Sequence, residues 1–195
     1  SPKIDAFRGM CNGSVLYSKS LKVIRNYHAQ EIFGKLPYGV DGEVAAGNIT
    51  DSNLLRRTGS ALNSYGGTPE LTFNVFDLFG PEPYGERYTA LLKIMSGIPH
   101  VNVVPNHPCL NPEQVLFWEK HYLALGYEGL ILRDPESPYK QGSATMREAY
   151  GYKVKRFEDD EAIVVGYEQE LHNANVATIN EMGNTTRTSH KENME

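Results

Sequence analysis

The sequence predicts an α+β fold, with mixed and antiparallel sheets flanked by helices. Three observations lead there. Asn12-Gly13 sits between two short strand-like runs, which suits the positive backbone angles of a tight hairpin. Apolar runs of strand length interleave with segments of helical periodicity. Hairpin signals occur among them, which favours α+β over a doubly wound parallel sheet.

Taken in order, Phe7–Cys11 and Ser14–Tyr17 form the predicted hairpin. Asn26 to Lys35 reads as a short helix capped by Asn26. Asp41-Gly42-Glu43-Val44 reads as a turn entering a strand, or a kink within one. Asp51 to Asn63 is predicted helical, with Leu54, Leu55 and Leu62 on one side. Leu71 to Phe79 alternates and then becomes almost wholly apolar, as a strand with a buried end would. Tyr84 to Met95 spaces Tyr84, Tyr88, Leu91, Leu92 and Met95 as a helix does, and Val101–Val104 is a short strand. Asn111-Pro112-Glu113 opens a helix with a cap residue, a first-position proline and an acid in the first turn, and Gly126 ends it. Gly129–Arg133, Tyr150–Phe157 and Ala162–Glu168 read as strands. The charged run Glu158-Asp159-Asp160-Glu161 reads equally as an interdomain hinge or a solvated turn.

Composition bounds the function. The chain has 195 residues, 40% hydrophobic and 22% charged, enough for one medium domain with a sizeable core. Two cysteines, Cys11 and Cys109, exclude a four-cysteine zinc site and make a disulfide framework implausible. Their scarcity points to a reducing, intracellular setting. No run approaches membrane-spanning length and no signal-like start is present. The net charge of -5 weighs only slightly against nucleic acid, because one face can be basic on an acidic protein. Both ends read as those of a fragment.

Four groups carry chemistry together: Lys3-Ile4-Asp5-Ala6-Phe7-Arg8, Glu43, Phe76-Asp77, and Glu128-Gly129 with Lys153-Val154-Lys155. They suit attack on a nucleoside triphosphate. An attacking amine such as that of Lys3 must be unprotonated, and nearby positive charge favours that form. Lys153 and Lys155 alternate at strand period, so both project from one face and could cradle an α-phosphate. Glu43 and Glu128 could hold Mg²⁺, which binds through few carboxylates plus substrate phosphates. The metal would neutralise the triphosphate and help pyrophosphate leave. Phe76 could stack on a base and Arg8 could grip phosphate with two hydrogen bonds. Each piece alone has an ordinary reading: a terminal lysine, an exposed strand glutamate, a core phenylalanine, a solvated Lys-x-Lys face. Order and spacing as a set carry the argument.

That set resembles the covalent nucleotidyltransferase superfamily of ATP-dependent DNA ligases, RNA ligases and mRNA capping enzymes. Lys3-Ile4-Asp5-Ala6-Phe7-Arg8 is similar to its first motif, Phe73–Phe79 to its third, and Tyr84-x-x-Arg87-x-x-x-Leu91 to the helix motif after it. Glu128–Pro135 is similar to the fourth motif and Tyr152–Phe157 to the fifth, all in family order. Glu128–Pro135, Pro138-Tyr139-Lys140 and the Lys-Val-Lys-Arg-Phe run most resemble the small DNA ligases of bacteriophage and bacterial type. Asn184–Lys191 resembles the opening of their second domain, an OB-fold β-barrel. The resemblance implies an adenylation domain over 1–157, and a hinge with a truncated OB-fold start over 158–195.

It also implies roles. Lys3 would form lysyl-AMP, with Lys153 and Lys155 on the α-phosphate. Arg8 would hold phosphate or nicked DNA, Glu43 the ribose or metal, and Phe76 the adenine. Glu128 would support metal-dependent steps. Arg133 would contact nucleotide, with Arg87 as a further candidate. Ser18-Lys19 resembles an element that touches the DNA backbone. ATP would be consumed, with Mg²⁺ or Mn²⁺, on nicked duplex DNA, by a monomer in the cytoplasm of a bacterial cell or phage-infected host. The family has Gly where this chain has Ala6; at a positive backbone angle Ala would cost ~1 kcal/mol or more. The family's pyrophosphate-orienting motif lies near the end of the OB domain, outside this sequence. Two rivals stay open: an RNA ligase or capping-type guanylyltransferase, and a degenerate nucleotide- or nick-binding module.

Overall fold

A computed structural model describes residues 1–142, 144–156, 161–179 and 185–188. It divides into two compact units, Ser1–Arg156 and Phe157–Glu195. The first holds strands β1 (Phe7–Cys11), β2 (Leu16–Ser18), β3 (Val40–Ala46), β4 (Leu71–Leu78), β5 (Val101–Val103), β6 (Gly129–Arg133) and β7 (Gly151–Lys155). Its helices are α1 (Tyr27–Phe33), α2 (Leu54–Asn63), α3 (Tyr84–Ile94) and α4 (Pro112–Ala124).

β2-β1-β3-β4-β5 make a five-stranded sheet, antiparallel except for the parallel β4–β5 pair, and β6–β7 make a separate antiparallel ribbon. The predicted α+β class with mixed and antiparallel sheets is the observed one. The expected caps form: Asn26 Oδ1 accepts from the Ala29 amide at 2.9 Å, and Asn111 Oδ1 from the Gln114 amide at 2.9 Å. α2 begins only at Leu54, because Asp51 spends its carboxylate on an Asx-type turn, accepting from the Asn53 amide at 2.8 Å. On α2, Leu54, Thr58 and Leu62 face inward, while Leu55 lies off that stripe and is exposed. Leu92 is likewise exposed on α3, whose Leu91 is buried.

One face of the large sheet is apolar. Val40, Val44, Phe73 and Val75 pack with Phe33 of α1, Leu62 of α2 and Leu91 of α3 in a single core. The other face is polar. It carries Arg8 and Met10 of β1, Asp41 and Glu43 of β3, and Asn74 of β4, following the two-residue alternation of strands. The suspected kink at Asp41-Gly42 is a β-bulge: Gly42 pairs with Val75 and Asp41 with Asp77, leaving Phe76 without a partner on β3. Gly42 is required there, because a Cβ would lie 2.5 Å from the Asn74 carbonyl.

The second unit, by itself, shows the hairpin β8 (Ala177–Ile179) and β9 (Thr185–Arg187) among its described residues. The strand predicted at Ala162–Glu168 is not formed. That segment has no regular structure, and Ile163, Val164, Val165 and Tyr167 are exposed. An apolar run becomes a strand only beside a partner edge, and β8 and β9 use each other's. Phe157, the acidic run before Glu161 and much of the Asn184–Lys191 stretch lie outside the described residues.

Candidate active site

Lys3 reaches the site by strand pairing across most of the chain. The amide of Lys3 donates to the Gly129 carbonyl at 2.8 Å, the amide of Ile131 to the Ser1 carbonyl at 2.9 Å, and Pro2 bridges to Leu130. The first three residues thus lie along β6 through a single β-bridge, on the edge opposite β7. Gly129, at φ 154°, permits this tight stack, since a Cβ there would collide with the Val154 carbonyl.

The pairing sets Lys3 beside Glu128, and Lys155 reaches the same residue from β7. The Lys3 ammonium is ion-paired with Glu128 Oε2, and Lys155 Nζ donates to Oε1 at 3.2 Å. Burial works against the Glu128 charge, but the two ammonium groups outweigh it and hold the carboxyl below its usual range. Lys153 opposes Ile131, two positions back along β7, and is exposed.

Glu43 lies close enough to Lys3 and Arg8 to feel both charges. Burial pushes its carboxyl up to about 7, with Asp41 and Asp5 adding to the rise while Arg8 and Lys3 oppose it. Its Oε2 is buried and has no hydrogen-bond partner. An orphaned acceptor of this kind is costly and marks a place where a ligand or ion can repay the loss.

Behind these groups lies a saturated network. Arg8 donates from Nε and Nη2 to Asp41 at 2.8 and 2.5 Å, and Tyr139 donates to Asp41 Oδ2 at 2.9 Å. Asp77 accepts from Arg87 Nε at 2.9 Å and from Arg133 Nη1 at 2.6 Å. The Arg133 guanidinium lies 4.9 Å from the Phe76 ring centre and 4.8 Å from that of Tyr84, and Arg8 lies 5.3 Å from Phe76. The bulge makes this possible, presenting consecutive Phe76 and Asp77 to one arginine.

The structure therefore gathers Lys3, Glu43, Glu128 and Lys155, with Arg8 and Phe76 on the adjoining sheet and Arg133 reaching them from the end of β6. Arg8 and Arg133 are held by aspartates, and Arg87 is 4% exposed and bound to Asp77 and the carbonyls of Glu82 and Ser137. Ser18 and Lys19 stand apart at the β2 edge. The Ser18 hydroxyl is turned into its own loop, meeting Ser20 Oγ and the Lys22 amide, while Lys19 is exposed. The partners that sequence reasoning missed are Asp41 and Tyr139; the one advance signal for Asp41 was a second charge, two residues from Glu43, in a strand that is apolar elsewhere. Ala6 is not among the non-glycine residues with positive φ, which are Leu21, His100 and Ala149 among the described residues. Its methyl group meets no left-handed strain.

No protein-family model matches the chain. A DNA ligase of African swine fever virus (Warthog/Namibia isolate) is 31% identical over 107 residues, covering 51% of this chain and 26% of the viral protein. That of the Tick/Malawi isolate is 29% identical over 114 residues, covering 55% and 27%. The chain spans about a quarter of the length of these curated relatives. Among solved structures, the Chlorella virus DNA ligase-adenylate superposes with a TM-score of 0.69 at 25% identity, covering 81% of this chain and 62% of that one. A Lig E DNA ligase superposes at 0.66 with 22% identity, covering 81% and 61%, a likeness of fold.

Fold and site together define a ligase-type nucleotidyltransferase domain. Within that class the chain is similar in sequence, over about half its length, to viral DNA ligases, and in fold to the Chlorella virus DNA ligase-adenylate.

Proposed function

We propose that this domain takes AMP from ATP onto Lys3 and passes it to the 5′-phosphate of a nick in duplex DNA, so that the 3′-hydroxyl can close the strand. The observation that carries the reading is the convergence of Lys3 and Lys155 on Glu128, beside the unpartnered Oε2 of Glu43. A carboxylate bridging two ammonium groups marks a space that suits a phosphate equally well. In the first step the Lys3 amine, having given up its proton, forms an N–P bond to the α-phosphorus as the bond to pyrophosphate breaks. Lys155, with Lys153 behind it on the same strand face, offsets the charge that develops on the phosphate oxygens. Phe76 offers a ring to the adenine. Arg8 keeps Nη1 for phosphate while Asp41 holds its other edge. Lys19, rather than the Ser18 hydroxyl, is the group at the β2 edge open to a DNA backbone.

The residues fit a divalent ion that arrives with the triphosphate. No group of three or more metal-binding side chains is present among the described residues, but Glu43 and Glu128 supply the few carboxylates that Mg²⁺ or Mn²⁺ needs alongside phosphates. Such an ion would neutralise the triphosphate and favour departure of pyrophosphate. We read the protein as a cytoplasmic monomer of a bacterial or phage-infected cell, its 158–195 segment a hinge and the start of a truncated OB-fold domain; no described helix is long and apolar enough to cross a membrane.

The test is intact mass after incubation with Mg²⁺ and ATP, or GTP, in a chain carrying its following domain. A gain of one AMP from ATP alone, lost in Lys3→Ala, is the expected result. A GMP adduct would favour a capping-type enzyme, and full AMP labelling of Lys3→Ala would remove Lys3 as the nucleophile.

A further inference from the structure

One buried charge has no place in the chemistry above. Glu119 on α4 has a side chain only 4% exposed, and its Oε2 accepts from Arg156 Nη2 at 2.6 Å, while Arg156 is 67% exposed. Burying a carboxylate is costly, and an apolar side chain in its place would be at least as stabilising. Its value lies in what it connects. Arg156 directly follows Lys155, and successive side chains at a strand end point to opposite sides. Lys155 therefore faces Glu128 while Arg156 faces α4. Glu119 sits on the helix that runs into Glu128 through a tightly bonded end: Gly126 N donates to the Leu123 carbonyl at 3.0 Å, and Tyr127 N to that of Tyr122 at 3.0 Å. The same two segments are thus joined twice, by Glu119–Arg156 and by Glu128–Lys155. The ladder with β6 ends at the Gly129–Lys155 pair, and the Glu119–Arg156 pair ties the next residue to α4.

We infer that Glu119 and Arg156 are positioning residues that hold the end of β7 against α4, so that Lys155 meets Glu128 beside Lys3. The consequence for AMP transfer rests on the reading given above; the effect on Lys155 does not.

The experiment compares the full chain with Arg156→Ala, Glu119→Gln and Arg156→Lys by amine-selective acetylation and mass spectrometry, and in parallel by the rate of AMP uptake. In Arg156→Ala and Glu119→Gln, acetylation of Lys155 should quicken about threefold to fivefold, while Lys153 on the same strand serves as an unchanged control. AMP uptake should slow about tenfold at saturating ATP, and Arg156→Lys should restore most of both. Unchanged Lys155 acetylation in either folded variant overturns the inference. If Arg156→Ala fails to fold, Glu119→Gln decides the matter, since it keeps the side chain's shape. A wild-type chain that takes up no AMP would count against the functional reading alone, with acetylation still deciding this one.

Discussion

Two clusters of charge in this domain use the same residue types to opposite ends. In the sheet-face network, Asp41 and Asp77 are 0% and 3% exposed, and each is matched by arginine. In the ribbon cluster, Glu128 is only half-buried between two lysines, and beside it Glu43 of β3 keeps an oxygen with no partner. In the first arrangement both aspartates are fully matched, and Arg8 Nη1 is what it leaves for a ligand. The second leaves Glu43 Oε2 unmatched, which is where a ligand could complete it. A charge count does not separate the two, whereas tracing the partner of every oxygen does.

The contrast predicts opposite costs for the same truncation. Asp77→Ala leaves Arg87, 4% exposed, without its carboxylate, and should destabilise the domain by about 3–5 kcal/mol in urea unfolding. Glu128→Ala removes an open pair and should cost less than about 1 kcal/mol, yet lower AMP uptake about a hundredfold. A large stability loss at Glu128 with little at Asp77 would reverse the assignment of architecture and chemistry.

Glu43 lies between the two clusters, and its titration sharpens the comparison. Its carboxyl rises from 4.5 to about 7 on folding, chiefly through burial. Between those values the folded chain keeps a proton that the unfolded chain has released. Stability should therefore fall as pH rises through that window and level off above it, by roughly 3 kcal/mol in all. Glu43→Gln should lose this part of the slope. Identical pH profiles for the two proteins would show that Glu43 titrates normally and that its orphaned oxygen is not enclosed. Mg²⁺ with ATP should lower the apparent pKa of the wild-type residue, the direction expected if the ligand supplies the missing partner.

Much of this was legible in the sequence, and the remainder has physical causes. The helix caps at Asn26 and Asn111 are local chemistry and appear where they are read. That Lys3, Glu128 and Lys155 come together could be read from motif order, which carries long-range information that periodicity does not. Arg8 was read as a phosphate ligand, but its first commitment is to Asp41, on the diagonal of a register in which Arg8 faces Glu43. No local pattern encodes that diagonal. The bulge at Phe76 was foreshadowed by Gly42, although its effect, sharing one arginine between neighbouring side chains, depends on β6 arriving from half a chain away. Ala162–Glu168 misled because strand propensity is a surface preference, realised only when an edge is available.

The smallest effect concerns Ala6, the one departure from the family's first motif. Had its backbone been left-handed, reversion to glycine would relieve strain and quicken chemistry at the neighbouring Lys3. Its φ is not positive, so glycine would relieve nothing and would enlarge the unfolded ensemble. Ala6→Gly should therefore lower stability by about 0.4–1 kcal/mol. AMP uptake should change by less than about twofold, because no strain is released into the barrier. A substantially faster Ala6→Gly protein would mean that the methyl group obstructs bound nucleotide. In that case the under-satisfied cluster is incomplete for want of space as well as of a ligand.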